Sequence, residues 1–231
     1  MGFFMRHLFI VFALAVAAPA IASGQLDPSF ADGGIRIMRF DAPQLDETED
    51  YARDGLIDSQ GRYVSAGVAT PPEISLFVGQ ITRHLPSGER DLSLQGTGYV
   101  RFVHPNGTQG SIAFNSIAEQ EDGKLVAAGV NDWNNHSIVC RLNVDGSRDE
   151  SFGPEGCQEH EQFGGFVDVV IRPDGRILLL ADAPPAVAAY ALLQLDPQGQ
   201  ADAEFGACGG CGYALSPDFI KTSWVRRSRC R

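Results

Sequence analysis

The chain has no long apolar run beyond its N-terminal segment, no cysteine before Cys140, and no stretch with a sustained 3.6-residue apolar period. The first absence leaves nothing after the N-terminus able to cross a bilayer as a helix, which takes about 20 apolar residues. The last predicts that helices are scarce. Motifs of hydrolytic and nucleotide chemistry are missing too. There is no GxSxG elbow and no P-loop, and HEQF after Glu159 is not HExxH because position 164 is glycine. Positive charge is also scarce. Eighteen Lys and Arg against 29 Asp and Glu give a net charge of -11, which argues against nucleic acid or an anionic lipid surface as partner.

What is present begins with a targeting signal. Arg6 and His7 precede an apolar run from Leu8 to Ala18, and the small-residue pattern Ala20, Ile21, Ala22 follows. This reads as a secretory signal peptide over residues 1–22, cut after Ala22. The expected location is therefore secreted, periplasmic or at the cell surface, with no membrane span in the mature chain. Export permits disulfides among Cys140, Cys157, Cys208, Cys211 and Cys230, and the odd count leaves at least one thiol over.

Four anchor sets recur in fixed order through residues 23–215. An apolar segment ends in a turn at Gly61, Gly123 and Gly175. A small apolar run follows, as RYVSAGVA, KLVAAGV and RILLLAD. Then comes an alternating segment ending in a second turn at Gly88, Gly146 and Gly199. A phrase closes each unit: RDLSLQG, RDESFG and ADAEFG, with an earlier copy, LDPSFADGG, from Leu26. Short runs rich in Val, Ile and Leu, bounded by Gly, Pro, Asp and Asn, are strands. Four such runs per repeat of 50 to 60 residues fit the blade of a propeller, whose common forms run about 40 to 50. KLVAAGV and RILLLAD do not alternate cleanly, so both faces of that strand are expected to be covered.

The order QEDGKLVAAGV, then VCRLNVDGSRDESFG, resembles the bacterial delta-60 repeat family. The resemblance spans roughly residues 26 to 215. It implies a secreted or cell-surface β-propeller and brings no catalytic residue with it. The expected fold is all-β, a β-propeller-like array of four-stranded antiparallel blades at about 51–103, 114–163 and 166–215. GGIRIMRF supplies an orphan outer strand at 33–40. Residues 216–231 form a basic tail whose TSWVRR resembles the start of a further apolar segment. Three blades with end fragments make an open or incomplete ring, since propellers have four to eight blades. Its exposed blade faces invite self-association.

Candidate chemistry is thin. Cys208 and Cys211 form a CxxC among glycines, which reads as a structural disulfide rather than a redox pair. Cys157 sits at nearly the same repeat position one unit earlier, so a link to Cys208 or Cys211 is expected. No further ligands complete a zinc site. Asn143, Asp145, Ser147, Asp149 and Ser151 alternate like a calcium loop, but their sister segments lack most of these oxygens, so they read as a turn. Asn115, Glu119 and Asp168 lie on first strands as possible axial ligands, in registers that do not coincide. Trp133, in VNDWNNHS, is the one binding candidate, a rigid apolar face for a protein or carbohydrate ligand. No cofactor and no catalytic residue are assigned. The leading expectation is an exported, non-enzymatic binding or interaction module. The alternatives are a propeller-type hydrolase or lyase with an axial metal site, and a truncated gene product without independent function.

Overall fold

The computed structural model describes residues 26–28, 30–37, 50–71, 77–103, 111–132, 134–182, 190–206 and 212–215. The candidates Trp133, Cys208 and Cys211, and the proposed signal peptide, lie outside them. Twelve strands form three antiparallel sheets of four, with no α-helix among the described residues. Blade 1 contains β1 (Tyr51–Ile57), β2 (Tyr63–Ala69), β3 (Val78–His84) and β4 (Tyr99–Phe102). Blade 2 contains β5 (Ile112–Glu119), β6 (Leu125–Asn131), β7 (His136–Leu142) and β8 (Cys157–His160). Blade 3 contains β9 (Phe166–Ile171), β10 (Ile177–Asp182), β11 (Tyr190–Leu195) and β12 (Tyr213–Leu215). Each sheet pairs its strands in chain order, with no crossover. The protein is thus an incomplete propeller-like array. Of the expected strand at 33–40, residues 33–37 form none, and 38–40 lie outside the described set.

The first strand of every blade is bulged at the same place. Pairing skips Arg53 between Ala52 and Asp54, Asn115 between Phe114 and Ser116, and Val167 between Phe166 and Asp168. Such a bulge bends its strand and re-aims the residues beside it. It also explains the glycine of the V-A-G run. A Cβ on Gly129 would overlap the Ala113 carbonyl, and one on Gly67 would overlap that of Tyr51.

Alternation then sorts side chains to the two faces of each sheet. Val64, Ala66 and Ile81 of blade 1 meet Phe114, Leu125 and Leu142 of blade 2 in one core cluster. Val126, Ala128 and Val139, on the other face of blade 2, meet Phe166, Leu179 and Leu193 of blade 3 in a second. Phe102 and Phe114 stack edge to face across the first interface, with centroids 5.0 Å apart. Each fully buried apolar side chain of this size contributes about 1.5 to 3 kcal/mol. Because blade 2 has neighbours on both sides, β6 is sealed on both faces but for a half-buried Val130. In β10 burial alternates instead, with Leu178 and Leu180 half-buried. The expectation of two covered faces thus holds for KLVAAGV and is corrected for RILLLAD, whose outward face has no neighbouring blade among the described residues.

Candidate functional site

The recurring phrase is a latch between blades. Its Asp carboxylate collects donors from its own blade. Asp91 accepts from Arg83 Nε at 2.7 Å and Ser93 Oγ at 2.6 Å, and Arg62 approaches it at 3.3 Å. Asp149 accepts from Arg141 Nε at 2.8 Å and Lys124 Nζ at 3.1 Å, with the Ser151 amide at 3.1 Å. The same arginines then reach forward. Arg83 Nη1 donates to the Val144 carbonyl, and Arg141 Nη1 donates to that of Pro197, each at 2.7 Å. These carbonyls belong to the second turn of the following blade. Burial raises the Asp149 carboxyl, but hydrogen bonds from Ser151 and Lys124 and the charge of Arg141 outweigh it and hold the group at about 2.

The apolar residue of the phrase follows the same direction. Leu94 packs under Gly146 of blade 2 and Phe152 under Gly199 of blade 3, where an added Cβ would collide with them. Phe30, from the phrase at Leu26, packs on Gly88 of blade 1 and against the Tyr63 ring, with centroids 5.5 Å apart. Blade 3 breaks the series. Gln194 stands in the arginine's register and donates to Asp202 at 2.7 Å, and Phe205 is only half-buried. The oxygens that alternate like a calcium loop are used within this local network: Asp145 accepts from the Ser147 amide and hydroxyl, and Asn143 donates to Ser147 Oγ.

The bulges bring a second set of residues together at the convergence of the first strands. Ser116 Oγ lies 2.9 Å from Asp54 Oδ2 and 2.8 Å from Asp168 Oδ1, so one hydroxyl hydrogen serves two carboxylates. The Ile117 and Val169 amides also donate to these oxygens. Asn115 accepts from Arg53 at 2.6 Å and donates to the Phe166 carbonyl at 2.7 Å. Glu119 stands apart, bonded to the Ser59 amide and hydroxyl. Of the three possible axial residues, Asn115 and Asp168 therefore belong to this set and Glu119 does not. Asp54 and Ser116 were missed because the shared register appears only when ARD, FNS and FVD are aligned on the bulge. Among the described residues, no histidine or thiol bonds to this group. Among the described residues, no three His, Cys, Asp or Glu are placed to hold a metal.

On the outer rim, a cleft of about 500 Å³ opens between blades 1 and 2. Phe102, Val103, Ile112 and Ile138 form its apolar floor, and Arg148, Glu155, Glu159 and His160 its polar border. Arg148 is fixed on three sides. It pairs with Glu155 at 2.8 Å, donates to the Arg101 carbonyl, and lies 4.8 Å over the Phe102 ring. Glu159 accepts from Asn131 and Asn134 and approaches His136 Nδ1 at 3.4 Å. The loop that carries Trp133 is thereby tied to the cleft by its flanking residues. Burial alone pushes His160, packed on Phe163 and Phe166, down to about 4. It is a neutral imidazole at pH 7.

The wall of this cleft is stapled. Cys157 bonds to Cys140, its direct partner in the β7 and β8 register, and not to Cys208 or Cys211 as expected. Repeat position suggested a link between blades, whereas strand pairing places the two sulfurs side by side within one.

Comparison with known proteins adds fold-level kinship. The family described as "Domain of unknown function (DUF5122) beta-propeller" matches residues 120–152. No curated protein matches the chain. Among solved structures, a protein of unknown function from Dyadobacter fermentans DSM 18053 is similar at 15% identity and a TM-score of 0.41. The match covers 62% of this chain and 37% of that one.

Proposed function

We propose that the protein is an exported, non-enzymatic binding module of the delta-60 repeat type, acting in the periplasm, at the cell surface or outside. The cleft between blades 1 and 2 is its binding site, for an apolar segment of a protein or carbohydrate ligand. The observation that carries this reading is the cleft itself, an apolar floor framed by fixed polar groups, the usual form of a ligand site. Trp133, outside the described residues, is kept as a candidate contact for its rigid aromatic face, because Asn131 and Asn134 to either side of it bond Glu159 at the border. The repeat phrases support the delta-60 reading, and the family match over 120–152 supports a β-propeller. The N-terminal charge and apolar pattern supports export.

Titration of the isotope-labelled protein with neutral oligosaccharides and apolar peptides tests the reading. A binder is expected to shift the resonances of Val103, Gln158, His160 and Trp133 together, and Val103→Asp is expected to weaken it about tenfold. Binding that leaves these residues unmoved would overturn it. The rival hydrolase or lyase with an axial metal rests on Asp54, Ser116 and Asp168. It would be favoured by metal-dependent turnover lost in Asp54→Asn.

A further inference from the structure

The three blades can be compared at the start of their last strands. Tyr99 of β4 pairs with Thr82 and Tyr213 of β12 with Leu193, and the matching pair in blade 2 is Cys157 with Cys140. Both tyrosine rings have neighbours of a definite kind. Tyr99 lies against the guanidinium of Arg90, 5.6 Å from the ring centroid, and Tyr213 meets Phe163 edge to face at 5.5 Å. Cys157 has no ring to offer, and its sulfur is bonded back to Cys140. It forms one wall of the cleft of about 500 Å³ between blades 1 and 2.

The surroundings that hold a ring elsewhere are kept at this cleft. Arg148 bridges to Leu142 as Arg90 does to His84. Its guanidinium lies over Phe102 at 4.8 Å with the side chain 29% exposed, so the plane can take a second ring on its other side. The edge-to-face pair of Phe102 and Phe114 matches that of His160 and Phe166 one interface on, where Phe163 and Tyr213 complete the cluster.

The charge beside this place is reversed. Arg101, two residues after Tyr99 on the same face, holds its guanidinium 4.8 Å from that ring. Glu159 follows Cys157 by the same spacing. Arg148 and Glu155 neutralise each other at 2.8 Å. Glu159 takes its hydrogen bonds from the uncharged amides of Asn131 and Asn134, with His136 Nδ1 at 3.4 Å, and among the described residues no Lys or Arg pairs with it. Burial raises its carboxyl, but the hydrogen bonds outweigh this and hold it below its ordinary value, so it is an anion at neutral pH. With its side chain 36% exposed, it can meet a cation from solvent.

We propose that the cleft takes an aromatic side chain of a peptide with a positive charge beside it, the ring stacked on Arg148 as Tyr99 is on Arg90 and the cation against Glu159. This rests on the cleft being the binding site and names what it accepts. A neutral sugar would leave Glu159 without a counter-charge, which favours the peptide.

Titration of the isotope-labelled full chain with three blocked dipeptides, tyrosyl-lysine, leucyl-lysine and tyrosyl-glutamate, tests this. The first is expected to bind about tenfold more tightly than either of the others and to shift Arg148 and Glu159 together. Glu159→Gln is expected to remove the preference for lysine over glutamate and keep that for tyrosine over leucine. Cys140→Leu with Cys157→Tyr gives blade 2 the pair that blade 3 already holds, and the ring so built is expected to weaken the tyrosyl peptide by about tenfold or more. Should that variant fail to fold, the peptide series and Glu159→Gln decide the matter. Leucyl-lysine or tyrosyl-glutamate bound as tightly, with the same residues shifted, overturns the inference and leaves the cleft a binding site. Absence of binding by the tyrosyl-lysine peptide overturns it too, whatever else the cleft takes. Shifts confined to residues away from the cleft overturn the site itself.

Discussion

Blades 1 and 3 are built on one plan and differ most on the faces they turn away from blade 2. Blade 1 presents Ser65 and Thr82, hydrogen-bonded to each other at 2.7 Å, with Gln80 and His84 in the same file of residues. Blade 3 presents Leu178, Leu180 and Leu192. The first file is polar yet covered, with Gln80, Thr82 and His84 each no more than 5% exposed. The second is apolar and half-buried among the described residues. Position in the array, and not the repeat itself, therefore decides what these side chains are for.

The largest effect expected from breaking this contrast is at the latch. Arg141→Ala removes the guanidinium that ties Asp149 to the Pro197 carbonyl across the blade 2–3 interface, leaving Asp149 to Lys124 and Ser151, and is expected to cost about 3 kcal/mol. Gln194→Ala, in the same register of blade 3, bears on no following turn and is expected to cost about 1 kcal/mol. Urea unfolding of the two variants reads the difference, and equal losses would abolish the distinction between the ends.

Acid sharpens the comparison next. His160 is half-buried and neutral in the fold with its group at about 4, against 6.5 when free. The unfolded chain therefore binds the extra proton first. This stability is fully present above pH 6.5 and is lost as the pH falls toward 4, by about 3 kcal/mol. Asp149, held at about 2, adds a second loss as the pH falls below its ordinary 3.8. His84, on the outward face of blade 1, is lowered by burial and then by Arg90 and Arg36, and adds to the first loss with the same sign. His160→Phe is expected to flatten the unfolding midpoint between pH 6.5 and 4. A midpoint that falls as steeply as in the parent would contradict this account.

The smallest change in stability is expected at the blade 1 face. Ser65→Ala with Thr82→Val removes both partners of one hydrogen bond and should alter stability by under about 1 kcal/mol in urea unfolding. Ser65→Ala alone leaves Thr82, itself buried, without that partner and is expected to cost more than the double change; an equal or smaller loss would mean that the bond contributes nothing.

The blades were legible in the sequence because their signals are local. A Pro-Asp-Gly turn such as Pro173 to Gly175 needs only three neighbours to be recognised, and its recurrence sets the period. What was not legible depends on register. The partner of Cys157 follows from which residue of β7 it faces, and the axial set of Asp54, Ser116 and Asp168 from a bulge that shifts each strand by one. The latch was hidden for a related reason. Its carboxylate, such as Asp149, joins Lys124 at the entry to β6 and Arg141 of β7, while the text of the phrase shows only the Asp. Trp133 was read as a lone aromatic, and the bonds from its neighbours to Glu159 could not be seen without the pairing of β8 with β7.

Every latch points the same way along the chain: the Leu or Phe comes from the earlier blade and the glycine from the later one. In an array whose units touch only their neighbours, this gives assembly a direction. As the polypeptide is made, each finished blade already holds out the side chain that its successor's turn will close upon. A blade can then be added without reopening the one before it.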